Sequence, residues 1–230
     1  MITRAGYSKV HEYTEVLNYL KELQPKSVVD VGGTASRWSA AYTTTIVDCL
    51  DPKAWANSGL PIPAEQRDCP ARPDDIQWFG GDICEHDTWL PVLEYVEANG
   101  KFDFAICTHT LEDLFNPKLV CSYFGQIAKE GFIAIPSKFS ELSRNGELFR
   151  GWDHHRWIYN YNDGFVAYAK LPFIEYADWA DEIAQKCHQH NEQFWLWWED
   201  DIELKSDFIP SDGYLDGVTL DQHYRMLLEN

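Results

Sequence analysis

"SVVDVGGTASRW", residues 27–38, is an apolar run that ends in an acid and breaks at two glycines. Val28, Val29 and Val31 read as a strand buried on both faces. Gly32, Gly33, Thr34, Ala35 and Ser36 read as a tight turn with no bulky side chain. A strand, a glycine turn and a following helix make the ligand crevice of an open α/β sheet. There the free N–H groups of the helix start are available to a ligand. A dinucleotide fingerprint would read G-x-G-x-x-G. Here the string is G-G-T-A-S, without the later glycines. An ordinary strand-to-helix turn is the alternative reading of these residues taken alone.

The flanking sequence repeats the alternation. Val10, Tyr13, Leu17 and Leu20, within residues 9–23, are spaced for one face of a helix, and Pro25 ends it. Residues 36–42 predict a short helix, and Thr43–Cys49 a second strand. Residues 52–75 hold five of the 11 prolines and read as a long loop. Ile76–Phe79 predicts a third strand ending in "GGD", then a helix with Pro91 near its first turn. "KFDFAIC", 101–107, is a fourth strand. A helix opening at Asn116-Pro117 and a fifth strand, "GFIAIP", 131–136, follow. Strand and helix in alternation predict a doubly wound, mostly parallel sheet covered by helices on both faces. After Pro136 the alternation lapses. Residues 137–163 are polar and aromatic without a period. "GFVAYAKLPFIEY" reads as a kinked strand, Trp179–Gln189 as a helix, and "FWLWW", 194–198, as a core strand with a solvated acidic end. No linker divides the chain, so residues 1–230 are expected to form one domain.

Charge narrows the partners. Lys and Arg total 19 against 37 Asp and Glu, a net charge of -18. Such a field repels phosphate backbones and anionic lipid. Nucleic acid is therefore not expected as a partner. The 6 cysteines form no CxxC pair, and Cys49 and Cys107 read as reduced core residues. No apolar run approaches the ~20 residues of a bilayer span, so membrane insertion is not expected. The expectation is a soluble, cytoplasmic protein from a reducing compartment.

Three acids fall at the ends of successive strands: Asp30, Asp48 and Asp82. A carboxylate at the second position can accept both hydroxyls of a ribose. One at the third can accept from an adenine amino group. Together they predict one nucleoside-sized ligand. Groups suited to proton transfer come later. His109, Glu112 and Asp113 follow the fourth strand. "RGWDHHRWIYNY", 150–161, brings Asp153, His154 and His155 between Trp152 and Trp157, with Arg156 beside them. Aromatic faces stack on sugar C–H faces, and charged groups bond hydroxyls. His and carboxylate are also metal ligands. Candidate ligands are His109, Glu112, Asp113, Asp153, His154 and His155, although adjacent residues face one ion only where the backbone bends.

The pattern over residues 25–137 resembles the class I S-adenosylmethionine-dependent methyltransferases. "VVDVGGTAS" is similar to their first motif, "IVDCLDP" to the ribose-binding strand end, and "GGDI" to the adenine-contacting element. "FDFAICTHTLEDLFNP" is similar to their fourth-strand motif and "KEGFIAIPS" to the fifth strand. Thr34 or Ala35 stands where a second glycine is usual. The Asn/Asp-Pro-Pro-aromatic string of nucleic-acid amino methyltransferases is replaced by "CTHTLED". "IPSKFSEL" and "HHRW" resemble, more loosely, methyltransferases of glycan synthesis, including those of large DNA viruses.

The resemblance implies a Rossmann-like, seven-stranded fold, with the cofactor half at about 1–136 and substrate elements at about 137–230. It implies S-adenosylmethionine held by Asp30, Gly32, Gly33, Thr34, Asp48, Asp82, Ile83 and Thr108. It further implies O-methylation of a sugar or glycan hydroxyl, with His154, His155, His109 and Asp113 as the catalytic candidates. Trp152, Asp153, Arg156 and Trp157 are the acceptor-binding candidates, and magnesium or manganese is a second cofactor to test. Three alternatives stand beside it. They are methylation of another small metabolite, a catalytically inactive binding module of the same fold, and an NAD-dependent enzyme.

Overall fold

The computed structural model describes residues 1–33, 38–39, 41–51, 76–144, 148–162, 164–207 and 217–229. Thr34, Ala35 and Ser36 of the glycine turn, and the proline-rich 52–75 stretch, lie outside these residues.

The central sheet has seven strands, β1 (Ile2–Ser8), β2 (Val28–Val31), β3 (Thr45–Asp48), β4 (Gln77–Gly80), β5 (Phe104–Thr108), β6 (Glu130–Pro136) and β9 (Gln193–Glu199). Their spatial order is β1-β9-β6-β5-β2-β3-β4. The five strands from β6 to β4 are mutually parallel. β9 runs antiparallel to β6, and β1 antiparallel to β9. The chain winds from β2 out to β4 on one side, then returns to lay β5 and β6 on the other. The order therefore reverses between β2 and β5, where an open α/β sheet has its ligand crevice.

Every residue of β2 is sealed from solvent, as is all of β5. This is why those stretches are continuously apolar rather than alternating. In β5, Phe104 and Ile106 share one cluster with Val16 and Leu20 of helix α1 (Thr14–Leu23). Ala105 and Cys107 face the other side. There Trp89 and Val92 of α2 (His86–Asn99) join Phe124 and Ile127 of α3 (Pro117–Ile127). The Trp89 and Tyr123 rings stack at 4.6 Å across that helix pair. Asn116 caps α3 by accepting from Leu119 N–H, and Pro117 takes the first turn, where its missing N–H costs nothing. Pro91 lies inside α2, five residues after its first residue His86 rather than in its first turn.

Two elements depart from the expected plan. β1 is absent from the sequence reading because its side chains are half-exposed and carry no clean alternation; its hydrogen bonds come from β9 alone. The aperiodic segment after β6 contains helix α4 (Lys138–Leu142) and strand β7 (Trp157–Tyr161). β7 pairs with β8 (Phe165–Ala169), which pairs with β10 (Leu204–Asp207), as a separate three-stranded sheet. Trp157, Tyr159, Phe165 and Ala167 pack on the main body. Ile158 and Tyr168 pack on α4, α5 (Asp178–Ala184) and α6 (Gly217–Glu229). Phe194, Leu196, Trp197 and Trp198 of β9 are buried, as the core-strand reading expects, while Cys49 is exposed and only Cys107 of that pair lies in the core. Among the described residues, no helix is long and apolar enough to cross a membrane.

Candidate active site

The glycines that open the sequence lie at the carboxyl end of β2. Gly32 has φ +73°, a conformation that side chains resist. A Cβ there would lie 2.1 Å from Thr110 Cγ2, and one on Gly33 would lie 2.0 Å from Asp30 Oδ1. The close approach is thus made by the protein's own groups. Asp30 is buried, accepts from Ser39 Oγ at 2.9 Å and folds back over Gly33. It braces the turn. Thr110 Oγ1 donates to Gly32 O at 3.2 Å and ties the β5 end to the β2 turn across the switch point.

Asp48 and Asp82 stand at the same sheet edge, with Asp48 paired to Gly80 in register. Burial raises the Asp48 carboxyl pKa, against the lowering effect of Leu50 N–H, which it accepts at 2.7 Å. Asp82 accepts from Cys84 N–H at 2.9 Å. Ile83 is buried and its carbonyl accepts from the Trp89 indole. Thr108 is nearly buried at the end of β5. These strand ends offer two carboxylate acceptors, small residues and an apolar wall, a set that fits a nucleoside with a ribose diol.

Beyond β5 and β6 a cavity of about 300 Å³ is lined by Val10, His11, His109, Glu112, Asp113, Pro136, Trp152, His154, His155 and Glu192. The fold carries these residues in from distant stretches. The 111–113 turn is pinned from below by β7: Tyr159 Oη donates to Leu111 O at 2.8 Å, and the Trp157 indole donates to Leu114 O at 2.7 Å. Trp157 is therefore a scaffold residue and not part of the cavity wall. Arg156 supports the same turn. Its Nε donates to Asp113 O at 3.1 Å, and its guanidinium lies 3.8 Å from the centre of the Phe115 ring. The 148–156 loop is fixed by buried Arg150, which donates to Ile174 O and Leu142 O and pairs with Asp181 at 2.7 Å.

His109, at φ +50°, is oriented on both nitrogens. Gln193 Oε1 accepts from His11 N–H at 3.1 Å, so His109 Nε2, also 3.1 Å away, is the donor to it. Its Nδ1 faces Glu112 Oε1 at 3.5 Å. Glu112 is 1% exposed, and its Oε2 has no hydrogen-bond partner among the described residues.

His155 has a different arrangement. Its Nδ1 lies 2.5 Å from Glu141 Oε1, and a carboxylate can only accept, so Nδ1 carries the proton. Nε2 is left with its lone pair in the cavity. Burial opposes a proton on this ring, but Glu141, Glu112 and Asp113 outweigh it and raise the pKa. Glu141 is 1% exposed and also accepts from Lys170 Nζ at 2.9 Å. Gly151 lets the loop pass over this carboxylate, since a Cβ there would lie 2.4 Å from Oε2. The His154 ring is 4.5 Å from that of His155, and its Nδ1 lies 3.3 Å from Asp153. Both Nε2 atoms lie 3.8 Å from Asp113 Oδ1. The backbone bend thus brings the adjacent histidines to one carboxylate. Burial raises the Asp113 pKa, and His155 and His154 partly offset that. Trp152, 40% exposed, leans on His155 at 4.9 Å.

Glu141 and Gln193 are absent from the sequence candidates. Glu141 lies 14 residues from His155 and 29 from Lys170, so no local spacing marks it. The one available signal for Gln193 is a polar residue at the start of an apolar strand.

No protein-family profile matches the chain, and no curated protein does. Solved structures similar to it include the methyltransferase domain of a bacterial Hen1 (CtHen1-CN). That match has 15% identity, covers 80% of this chain and 95% of that one, and has a TM-score of 0.45. A methyltransferase-like protein of Bacillus halodurans C-125 is 12% identical over 81% and 99%, with a TM-score of 0.39. A cyclopropane-fatty-acyl-phospholipid synthase-like protein of Lactobacillus casei ATCC 334 is 11% identical over 83% and 94%, with a TM-score of 0.37. At such identities the function is argued from the geometry of this site.

Proposed function

We propose that this chain transfers a methyl group from S-adenosylmethionine to a hydroxyl of a sugar or glycan. The observation that carries the reading is the placement of the His155–Glu141 pair. Its Nε2 side belongs to a cavity lined by His109 and Glu112, the residues flanking the Thr110 that bonds Gly32 O at the sheet's switch point. The elements up to about residue 136 hold the cofactor and those after it hold the acceptor. S-adenosylmethionine, when bound, supplies an electrophilic methyl on a sulfonium.

This chain's residues bind, orient and exclude. Asp48 accepts from the ribose diol. Asp82 and Ile83 border the adenine. Gly32 and Gly33, braced by Asp30, keep side chains clear of the crevice. Thr108 closes its floor. In the cavity, Trp152 offers an aromatic face to a sugar ring, and Asp113 and Glu192 accept from hydroxyls, while Asp153 stands behind His154 outside the lining. A hydroxyl is a poor nucleophile until its proton is drawn away, and such assistance gives typically ~10²–10⁴-fold. The activating group is the His155 Nε2 lone pair, held toward the cavity by Glu141 as a carboxylate orients the imidazole of a catalytic pair. His109 has both nitrogens engaged by protein groups and acts as a positioning residue at the β5 end.

The test is incubation with methyl-labelled S-adenosylmethionine and panels of saccharides, phenols and amines, read by mass spectrometry. Label on a saccharide hydroxyl is the expected result. Label on phenols or amines alone would replace the acceptor class. Calorimetry showing no S-adenosylmethionine binding, or NAD binding in its place, would overturn the reading.

A further inference from the structure

We infer that Asp113, His154 and His155 form a binding site for a divalent transition-metal ion, with the buried carboxylate of Glu112 beside it. The argument begins from proton positions. Glu141 holds the proton on His155 Nδ1, and Asp153, 3.3 Å from His154 Nδ1, favours the proton there too. Each histidine then turns an Nε2 lone pair toward Asp113 Oδ1, 3.8 Å from both. Neither Nε2 nor the Asp113 carboxylate has a hydrogen bond among the described residues. Three ligand atoms, one from each residue, lie within 4.8 Å of one another, close enough to share one cation.

A second observation is independent of the first. Glu112 lines the same cavity, and its Oε2 is sealed from solvent and has no hydrogen-bond partner among the described residues. An orphaned buried carboxylate oxygen is costly, and a neighbouring cation removes that cost. Ligand donors around a tetrahedral ion at about 2.0–2.2 Å are about 3.3–3.6 Å apart. The separations to Asp113 are within a few tenths of that. His154, 61% exposed, is free to rotate the remainder. Each imidazole already has the outer carboxylate that metal-bound histidines use to fix tautomer and basicity. Two imidazoles with a carboxylate suit manganese, cobalt, iron or zinc better than magnesium, which prefers an all-oxygen shell.

The site stands without the methyl-transfer reading. Its role, orienting and acidifying the acceptor hydroxyl in place of direct proton acceptance by His155 Nε2, rests on that reading. The test uses the full chain stripped of metal by chelation. Cobalt(II) is followed by visible absorption, manganese(II) by electron paramagnetic resonance, and both with magnesium(II) by calorimetry. The expected result is one ion per chain, nitrogen couplings on bound manganese, and magnesium weaker by at least about tenfold. His154→Ala removes an exposed side chain and leaves the fold intact; it should weaken cobalt binding by about 100-fold or more. Glu141→Gln should weaken it by about 10–100-fold. No ion bound at millimolar concentration, or a folded His154→Ala variant binding as well as the parent, would overturn the site. Full methyl transfer after chelation would overturn the ion's role in the reaction and leave the methyl-transfer reading in place, with His155 accepting the proton directly. Metal bound without any S-adenosylmethionine affinity would do the reverse.

Discussion

Glu141 is the residue whose replacement tests the cavity's construction most directly. Its carboxylate is 1% exposed and accepts from His155 Nδ1 at 2.5 Å and from Lys170 Nζ at 2.9 Å. Glu141→Ala removes the anion and leaves the Lys170 ammonium, also largely buried, with only Trp152 O at 2.7 Å. Deleting one member of a buried ion pair costs about 3–5 kcal/mol. Glu141→Gln keeps the shape and an acceptor for His155, but sets an amide N–H₂ against the Lys170 ammonium. One mismatched buried polar contact costs about 1–3 kcal/mol. The expected order is therefore Ala worse than Gln by about 2 kcal/mol. Urea unfolding followed by circular dichroism measures this, with an unchanged slope showing that compactness is unaltered. Adding Lys170→Met to Glu141→Ala should recover part of the loss, because it removes the stranded charge. A Glu141→Ala loss below about 1 kcal/mol, the range of exposed ion pairs, would refute the buried triad of His155, Glu141 and Lys170. A Gln variant as damaged as Ala would refute the role assigned to charge.

Asp48→Ala should weaken S-adenosylmethionine binding by about one to two decades, the loss of charge-assisted bonds worth roughly 1.5–3 kcal/mol; calorimetry on the folded variant checks it, and unchanged affinity removes Asp48 from the site. Gly33→Ala should destabilise by about 1–3 kcal/mol, because the new methyl meets the braced Asp30 carboxylate. Combining it with Asp30→Ala should give less than the summed loss in a double-mutant cycle, and strict additivity would show that the two do not touch. Asp103 accepts from Lys129 Nζ and from the N–H groups of Lys26 and Ser27, which outweigh burial and lower its pKa. A lowered folded pKa gives stability that is present above the unfolded value of about 3.9 and is lost as pH falls through the folded one. Asp103→Asn should therefore lose about 1–2 kcal/mol at neutral pH, with a gap that closes below about pH 4. A gap independent of pH would refute the assignment.

Several elements were legible in the chain because their causes are local. The valines of 28–31 and the run 104–108 are apolar throughout, since strands buried on both faces have no polar side to show. Asn116-Pro117 marks a helix start by its own capping chemistry. β1 was not legible, because half-exposed edge residues carry no pattern and their bonding is decided by β9, nearly 190 residues away. The 137–163 stretch lacked a period because its order comes from buried Arg150, Glu175 and the small sheet rather than from a repeating face.

The candidate site divides in the same way. Residue types that carry chemistry are visible wherever they stand, so His109, Glu112, Asp113, Asp153, His154 and His155 could be named from sequence. Their relations could not. Which histidine turns a lone pair inward depends on Glu141 and Gln193, groups supplied by other elements. Trp157 reads as a binding aromatic beside Trp152, yet Trp157 opens the buried strand β7 and Trp152 stands on the loop before it, so one is core and the other lines the cavity. The glycines of 32–33 declared that something lies close to the backbone. Only the folded chain shows that Asp30 and Thr110 are what lies there. Sequence alone fixes local conformation and the inventory of reactive groups, because both depend on neighbours along the chain. Tautomer, burial and convergence depend on neighbours in space, and only the tertiary structure decides those.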